Sequence, residues 1–403
     1  MKFGKERIYT IPHPAINTIG TLADRLQTEA QASGKILAPK VRMHVGEPDF
    51  STPAHIRQAA IESLSNERQT YGPAAGQPWL RELLAAKVQR VDGYTVAPEN
   101  ISIATGGTSA ILASILATVN PGEEILYPDP GWPYYAIQLK ISGATGVPYP
   151  LDPKNDWLPD LEQLEKLVTP QTRMLIINSP ANPTGAVFPR QLVADLLDFA
   201  RRHDLYLLSD ECYDQILFEG EHVSPATMIS REELESGRFI GIYTFSKTYS
   251  MTGWRIGYVV TGKSLLKTII HVLNMSFTNL NNAVQRAAAT ALTGPQDCVQ
   301  EMNEAYRRRR DLVVNLLKDA GRYLYMPHGA FYALIDIRDK EGHDRDVQQF
   351  ALDLVSEYNT TVTPGTDFGS VAKNFVRISL ATADDQLALG VRAICDFADQ
   401  YKY

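Results

Sequence analysis

Between roughly Pro53 and Gly294 the apolar positions gather into short runs separated by helical stretches. The runs Ile101–Ala104, Glu124–Tyr127, Met174–Ile177, Leu205–Leu208 and Phe239–Tyr243 are largely apolar at successive positions. Continuous rather than alternating hydrophobicity predicts strands covered on both faces. Helical stretches such as Ser109–Val119 and Gln191–Arg202 lie between them, giving repeated βα units. The fold class expected is therefore α/β, with a mainly parallel sheet sandwiched by helices. Past a long predicted helix at about 296–317 the pattern changes. Strands are predicted at Ala330–Ile337 and Phe375–Leu380, with helices at Val347–Tyr358 and Ala383–Tyr401, as in a smaller α+β domain. Upstream, residues 1–45 hold a short polar start and one helical pattern around Ile19–Ala32. The expected division is 1–45 contributing to the small domain, 46–294 as the large domain, and 295–403 completing the small one. Ligands bind most often in a cleft at the carboxyl ends of parallel strands, so the polar groups just past these runs matter most.

Composition narrows the function classes. With 46 acidic and 39 basic residues among 403, the net charge of −7 leaves no electrostatic footprint for nucleic acid or an anionic membrane. The run Arg307–Arg310 sits inside the long helical pattern, where consecutive residues fan around the axis. It is expected to be a solvated, salt-bridged helix surface rather than a nucleic-acid patch. No stretch has the length and apolarity of a signal peptide or a membrane span. Cys212, Cys298 and Cys395 are far apart, without metal or redox spacing, as expected of reduced thiols in a cytoplasmic protein. Cys212 is expected to be a small core residue rather than a nucleophile.

Four polar segments follow predicted strands. Thr105-Gly106-Gly107-Thr108 opens a helix, whose free N–H groups and partial positive charge suit a phosphate, although paired glycines also make plain turns. Asn178-Ser179-Pro180-Ala181-Asn182-Pro183-Thr184-Gly185 is an irregular loop that fixes Asn182, or else a turn before a helix cap. Asp210 closes an apolar run, and a buried carboxylate there needs a cationic partner unless it only caps a helix. In Thr244-Phe245-Ser246-Lys247, with Arg255-Ile256-Gly257 downstream, the lysine stands at a strand end among apolar neighbours. Such surroundings favour the neutral, nucleophilic amine, although a lysine taken alone is more often a surface residue.

Taken together, these segments resemble the class I/II aminotransferases of the aspartate aminotransferase superfamily, pyridoxal 5'-phosphate (PLP) enzymes of fold type I. The likeness runs from Val45-Gly46-Glu47-Pro48-Asp49-Phe50 to Val376-Arg377-Ile378-Ser379. The stretch Ser246-Lys247, seven residues, then Arg255-Ile256-Gly257 is its strongest element. The resemblance implies that Lys247 carries PLP as a Schiff base and then moves the substrate proton. It implies that Asp210 pairs with the pyridine nitrogen, that Tyr213 and Asn182 bond the ring oxygen, and that Trp132 stacks on the ring. Gly106, Gly107, Thr108, Thr244, Ser246 and Arg255 would hold the phosphate. Tyr71 would reach the phosphate of a neighbouring subunit, which implies a homodimer with shared sites. Arg377 would clamp the substrate carboxylate, aided by Asn182 and the backbone at Gly46.

The sequence departs from the family's aspartate-specific members at the side-chain pocket. One branch has a lysine directly after the paired glycines, where this chain has Thr108. Another has an arginine near Ser276–Asn282, a segment with only Asn279, Asn281 and Asn282 as polar candidates. The aromatic supply of Trp132, Tyr134, Tyr135 and Phe277 makes a neutral or aromatic donor at least as expected as aspartate. The same scaffold also serves C–S lyases acting by β-elimination and, remotely, non-catalytic PLP-binding regulators. The segment Ile11-Pro12-His13-Pro14, before a helix, is a candidate for a mobile lid, which the sequence does not decide.

Overall fold

The protein is described here by a computed structural model covering residues 11, 15–34 and 37–401. The proposed lid falls mostly on residues 12–14, outside the described residues. Among the described residues, twelve strands form three sheets. The largest sheet runs β2 (Ile101–Ala104), β8 (Gly257–Thr261), β7 (Phe239–Thr244), β6 (Tyr206–Asp210), β5 (Thr172–Asn178), β3 (Glu124–Asp129) and β4 (Thr145–Pro150). All neighbours are parallel except at β8, which is antiparallel to β2 and β7. The mainly parallel α/β sheet expected from the apolar runs is present, and each run matches a strand to within two residues.

Both faces of this sheet are covered. Gly107–Thr118 and Lys263–Phe277 pack with Ile125, Ile176, Leu208 and Ile242 on one side, while Arg190–Arg202 packs with Leu175, Ile177 and Leu207 on the other. Two strands of this sheet escaped the sequence reading. β4 carries Pro148 and Pro150, which read as loop residues; it is an edge strand, where proline is tolerated. β8 begins at Gly257, directly after the Arg255-Ile256 motif, where the residues were read for chemistry instead.

The two smaller sheets join the chain's ends. β1 (Val41–Arg42) pairs in parallel with β10 (Thr360–Thr361). β11 (Thr363–Pro364), β12 (Phe375–Ser379) and β9 (Tyr332–Asp336) form an antiparallel sheet. Helices Ala15–Ser33, Val347–Tyr358 and Asp384–Gln400 contribute to the core over these strands.

The arginine run needs correction. It lies in the helix Asp297–Asp319, but Arg309 and Arg310 are buried rather than solvated. Arg309 grips Asp49 (2.9 and 2.8 Å) and Asp384 (2.9 Å), while Arg310 reaches Glu219 (3.0 Å) and the Pro327 carbonyl (2.9 Å). Long aliphatic stems let arginine lie in a core while its head stays paired.

Candidate active site

Polar groups collect where the large sheet's parallel strands end. Asp129, Asn178, Asp210 and Thr244 are the last residues of β3, β5, β6 and β7, adjacent strands in the sheet. Asn178 and Asp210 face each other across the ladder. A cavity of about 220 Å³ opens there. Of the residues singled out from sequence, Gly46, Gly107, Thr108, Trp132, Asn182, Asp210, Tyr213, Thr244, Ser246, Lys247, Arg255 and Arg377 all line it. Gly106 stands just behind, against Arg255. Tyr71 is elsewhere on this chain and 87% exposed.

The charges of the cavity are the decisive feature. Lys247, Arg255 and Arg377 bring three cations, against a single lining carboxylate, Asp210. None of the three has a described acidic partner. The Lys247 Nζ donates to the Gly46 carbonyl at 2.6 Å. Arg255 donates to the Thr252 and Thr105 carbonyls at 2.8 and 3.3 Å. Arg377, 4% exposed, donates to the His44 carbonyl, to Thr363 Oγ1 (3.2 Å) and to Asn182 Oδ1 (3.4 Å), and its Nε has no partner. Burial pushes its basicity down, opposed by Tyr332, Tyr213 and Asp367. A buried guanidinium with an idle N–H and no carboxylate is a site built for an anion.

Asp210 is the mirror case. It is buried without a cation, and burial raises its carboxyl against the lowering effect of hydrogen bonds from Cys212 and Tyr135. Tyr135 donates to it at 2.5 Å and the Cys212 amide at 3.2 Å. A cationic ring nitrogen would satisfy this carboxylate.

Behind Arg255 the helix Gly107–Thr118 starts without a side-chain cap. Gly106 has φ +85°, and a methyl group there would lie 2.6 Å from Arg255 Nη2. Only glycine lets the helix amides and the guanidinium converge on one place. Thr244 and Ser246 hydroxyls, 2.8 Å apart, complete that end. Amides, hydroxyls and an arginine in this arrangement have the chemistry to cradle a phosphate.

Two lining or supporting residues, Asn178 and Tyr332, were given no role in the sequence reading, and a third, Tyr135, was given a different one. Asn178 bonds the Asp210 carbonyl (2.9 Å) and accepts from the Asn182 amide (2.8 Å), so it ties two predicted site residues together. Tyr332 meets Tyr213 hydroxyl to hydroxyl at 2.9 Å. Tyr135 was expected among aromatics near the cleft, but it is fully buried and orients Asp210 instead. Of its companions, Trp132 lines the cavity with Tyr134 stacked on it at 4.9 Å, while Phe277 packs into the core. Cys212 also lines the cavity rather than the core proper. Burial pushes its thiol up, against thiolate chemistry.

The aminotransferase class I and II family profile matches residues 38–394. The chain belongs to this family. The fold and the transaminase activity expected from the motif resemblance thus stand. The aminotransferase is 37% identical over 350 residues to an aspartate/prephenate aminotransferase of Thermus thermophilus, covering 86% of this chain and 88% of that protein. It is 35% identical over 356 residues to the arginine–pyruvate transaminase AruH of Pseudomonas aeruginosa, covering 87% and 88%. Among solved structures, Thermus thermophilus aspartate aminotransferase with maleate superposes with a TM-score of 0.89 at 34% identity, covering 98% of this chain and all of that one.

Proposed function

We propose that this aminotransferase uses PLP, held by the residues lining the cavity, and takes a neutral or aromatic L-amino acid as donor. The observation that carries the cofactor assignment is the set of unpaired charges at the cavity: Asp210, buried without a cation, Arg377, buried without an anion, and Arg255, exposed without one. Asp210 would meet the ring nitrogen, Tyr213 and Asn182 the ring oxygen, and Trp132 the ring face. The glycine-opened helix, Thr244, Ser246 and Arg255 would hold the phosphate. When bound, PLP supplies an aldehyde that accepts the amino group and a ring that delocalises charge from the substrate Cα.

The chain's own residues do the rest. Arg377 and Asn182 would bind and orient the α-carboxylate, which settles the substrate's register. Lys247 would then remove the proton at Cα and return one to the carbon that received nitrogen. A 2-oxo acid reverses these steps and takes up the amino group, so nitrogen is exchanged with no net redox change.

The donor preference follows from charge. The cavity's three cations are engaged by attachment, phosphate and α-carboxylate in this reading, which leaves none of them for a side-chain carboxylate. Ile16, Thr108, Ile111 and Trp132 remain as neutral lining. The asparagines offered by the sequence are committed elsewhere: Asn279 bonds the Leu280 carbonyl, Asn281 caps the helix Asn282–Thr293, and Asn282 bonds Glu67. We take residues 46–294 as the cofactor-binding domain, and 1–45 with 295–403 as the smaller one, supported by the β1–β10 pairing. A homodimer is proposed too, supported by exposed Tyr71 and Met275. The test is a donor panel of aspartate, alanine, phenylalanine, methionine, lysine and ornithine, scored by the absorbance change of the bound cofactor. A neutral or aromatic donor should react faster than aspartate; a clear preference for aspartate would refute the assignment.

A further inference from the structure

Tyr332 opens β9, on the smaller antiparallel sheet, yet its side chain lines the cavity. It touches three groups assigned to different tasks. Its ring lies 4.5 Å from the Arg377 guanidinium carbon, and Phe368 lies 4.9 Å away from the same carbon. Two aromatic rings therefore lie against the buried Arg377 charge, on which Asp367 also acts, but no carboxylate is paired with it. Its hydroxyl is 2.9 Å from the Tyr213 hydroxyl. The same hydroxyl occupies the space a side chain at position 46 would fill, and the Gly46 carbonyl accepts from Lys247.

We infer that Tyr332 is a positioning residue with two separable duties: its ring seats Arg377, and its hydroxyl orients Tyr213. This rests on the reading that Arg377 binds the substrate carboxylate and Tyr213 faces the cofactor. A desolvated guanidinium over an aromatic face gains stabilisation without the charge neutralisation a carboxylate would bring. Arg377 thus stays fixed while its charge stays available to substrate. At the other end of the side chain, a hydroxyl pair has two protons. When Tyr332 donates to the Tyr213 oxygen, the Tyr213 proton is free to point into the cavity.

The two duties divide between two substitutions. In PLP-loaded enzyme, Tyr332→Phe keeps the ring and removes the hydroxyl. The pH midpoint of the bound cofactor's absorbance should shift and kcat should fall about tenfold, with KM for a neutral donor within about twofold. Tyr332→Met removes the ring as well. KM should rise about tenfold or more, with an equal loss of affinity for an unreactive 2-methyl amino acid, followed by spectral titration. A Tyr332→Phe enzyme with an unshifted absorbance midpoint would overturn the hydroxyl duty. A Tyr332→Met enzyme with unchanged KM and 2-methyl amino acid affinity would overturn the ring duty. If both variants lower only the melting temperature, Tyr332 is structural and the inference fails entirely. Arg377→Ala, measured alongside, separates the causes: if it leaves KM unchanged, the carboxylate reading itself has failed. Tyr332→Phe alters one buried hydroxyl, so it keeps the proposal testable if Tyr332→Met does not fold.

Discussion

Lys247 illustrates how a side chain's meaning depends on what surrounds it. Alone it is a part-buried amine bonded to a carbonyl. Beside a cation-free Asp210 and acid-free arginines, we propose it as the nucleophile of a cofactor site. Lys247→Ala should abolish turnover while PLP still binds non-covalently; wild-type rates in steady-state assays would disprove the role. Arg377→Ala should cost about 2–5 kcal/mol in kcat/KM, since a desolvated carboxylate would be left unpaired. Tyr135→Phe removes the 2.5 Å donor to Asp210 and should weaken PLP binding by about 1–3 kcal/mol, measured by equilibrium titration. At this scale the residues that line the cavity were legible, because local motif spacing reports them. Their supports were not. Tyr332 and Tyr213 are 119 residues apart, and Tyr135 and Asp210 are 75 apart, so no local pattern links them.

The strands and helices place those residues by ending where they do. Apolar runs were legible as strands because burial on both faces demands continuous hydrophobicity, and the polar group closing each run marks the cleft. β4 was not legible, since edge position relaxes the rule that excludes proline. Nor was the buried polar lattice next to Asp210. There Lys87 bonds Asp92 (2.9 Å) and Asp214, while Glu211 accepts from Ser224 (2.8 Å), Tyr243 (3.0 Å) and His222 (2.7 Å). Burial works against the Lys87 charge, but Asp214 and Asp92 outweigh it and hold the amine well above its ordinary value. Lys87→Met would strand two buried carboxylates flanking this segment. Urea unfolding should report a loss of about 3–5 kcal/mol; a loss below about 1 kcal/mol would mean the pair is worth no more than a surface contact.

Across the molecule, the pairing of β1 with β10 brings distant segments together around a buried histidine that bears on how stability responds to acid. His44 lies between β1 and the cavity, buried, with Thr361 Oγ1 at 2.7 Å and its carbonyl on Arg377. Burial first, then Arg42 and Arg377, hold its imidazole down to about 4. The folded protein therefore binds fewer protons at His44 than the unfolded chain does between pH 6.5 and 4. Its contribution to stability should be intact above 6.5 and fall by about 3 kcal/mol as pH drops through that window. Comparing urea midpoints of the wild type and His44→Asn across these pH values checks the sign. The change from βα repeats to other elements was legible; the pairing of residue 41 with residue 360 was not, its strands being two residues long on each side. The most direct measurement of the whole assignment is borohydride reduction of the PLP-loaded enzyme, followed by peptide mass spectrometry. The cofactor should be found covalently attached to the peptide bearing Lys247; attachment at another lysine, or none, would contradict it.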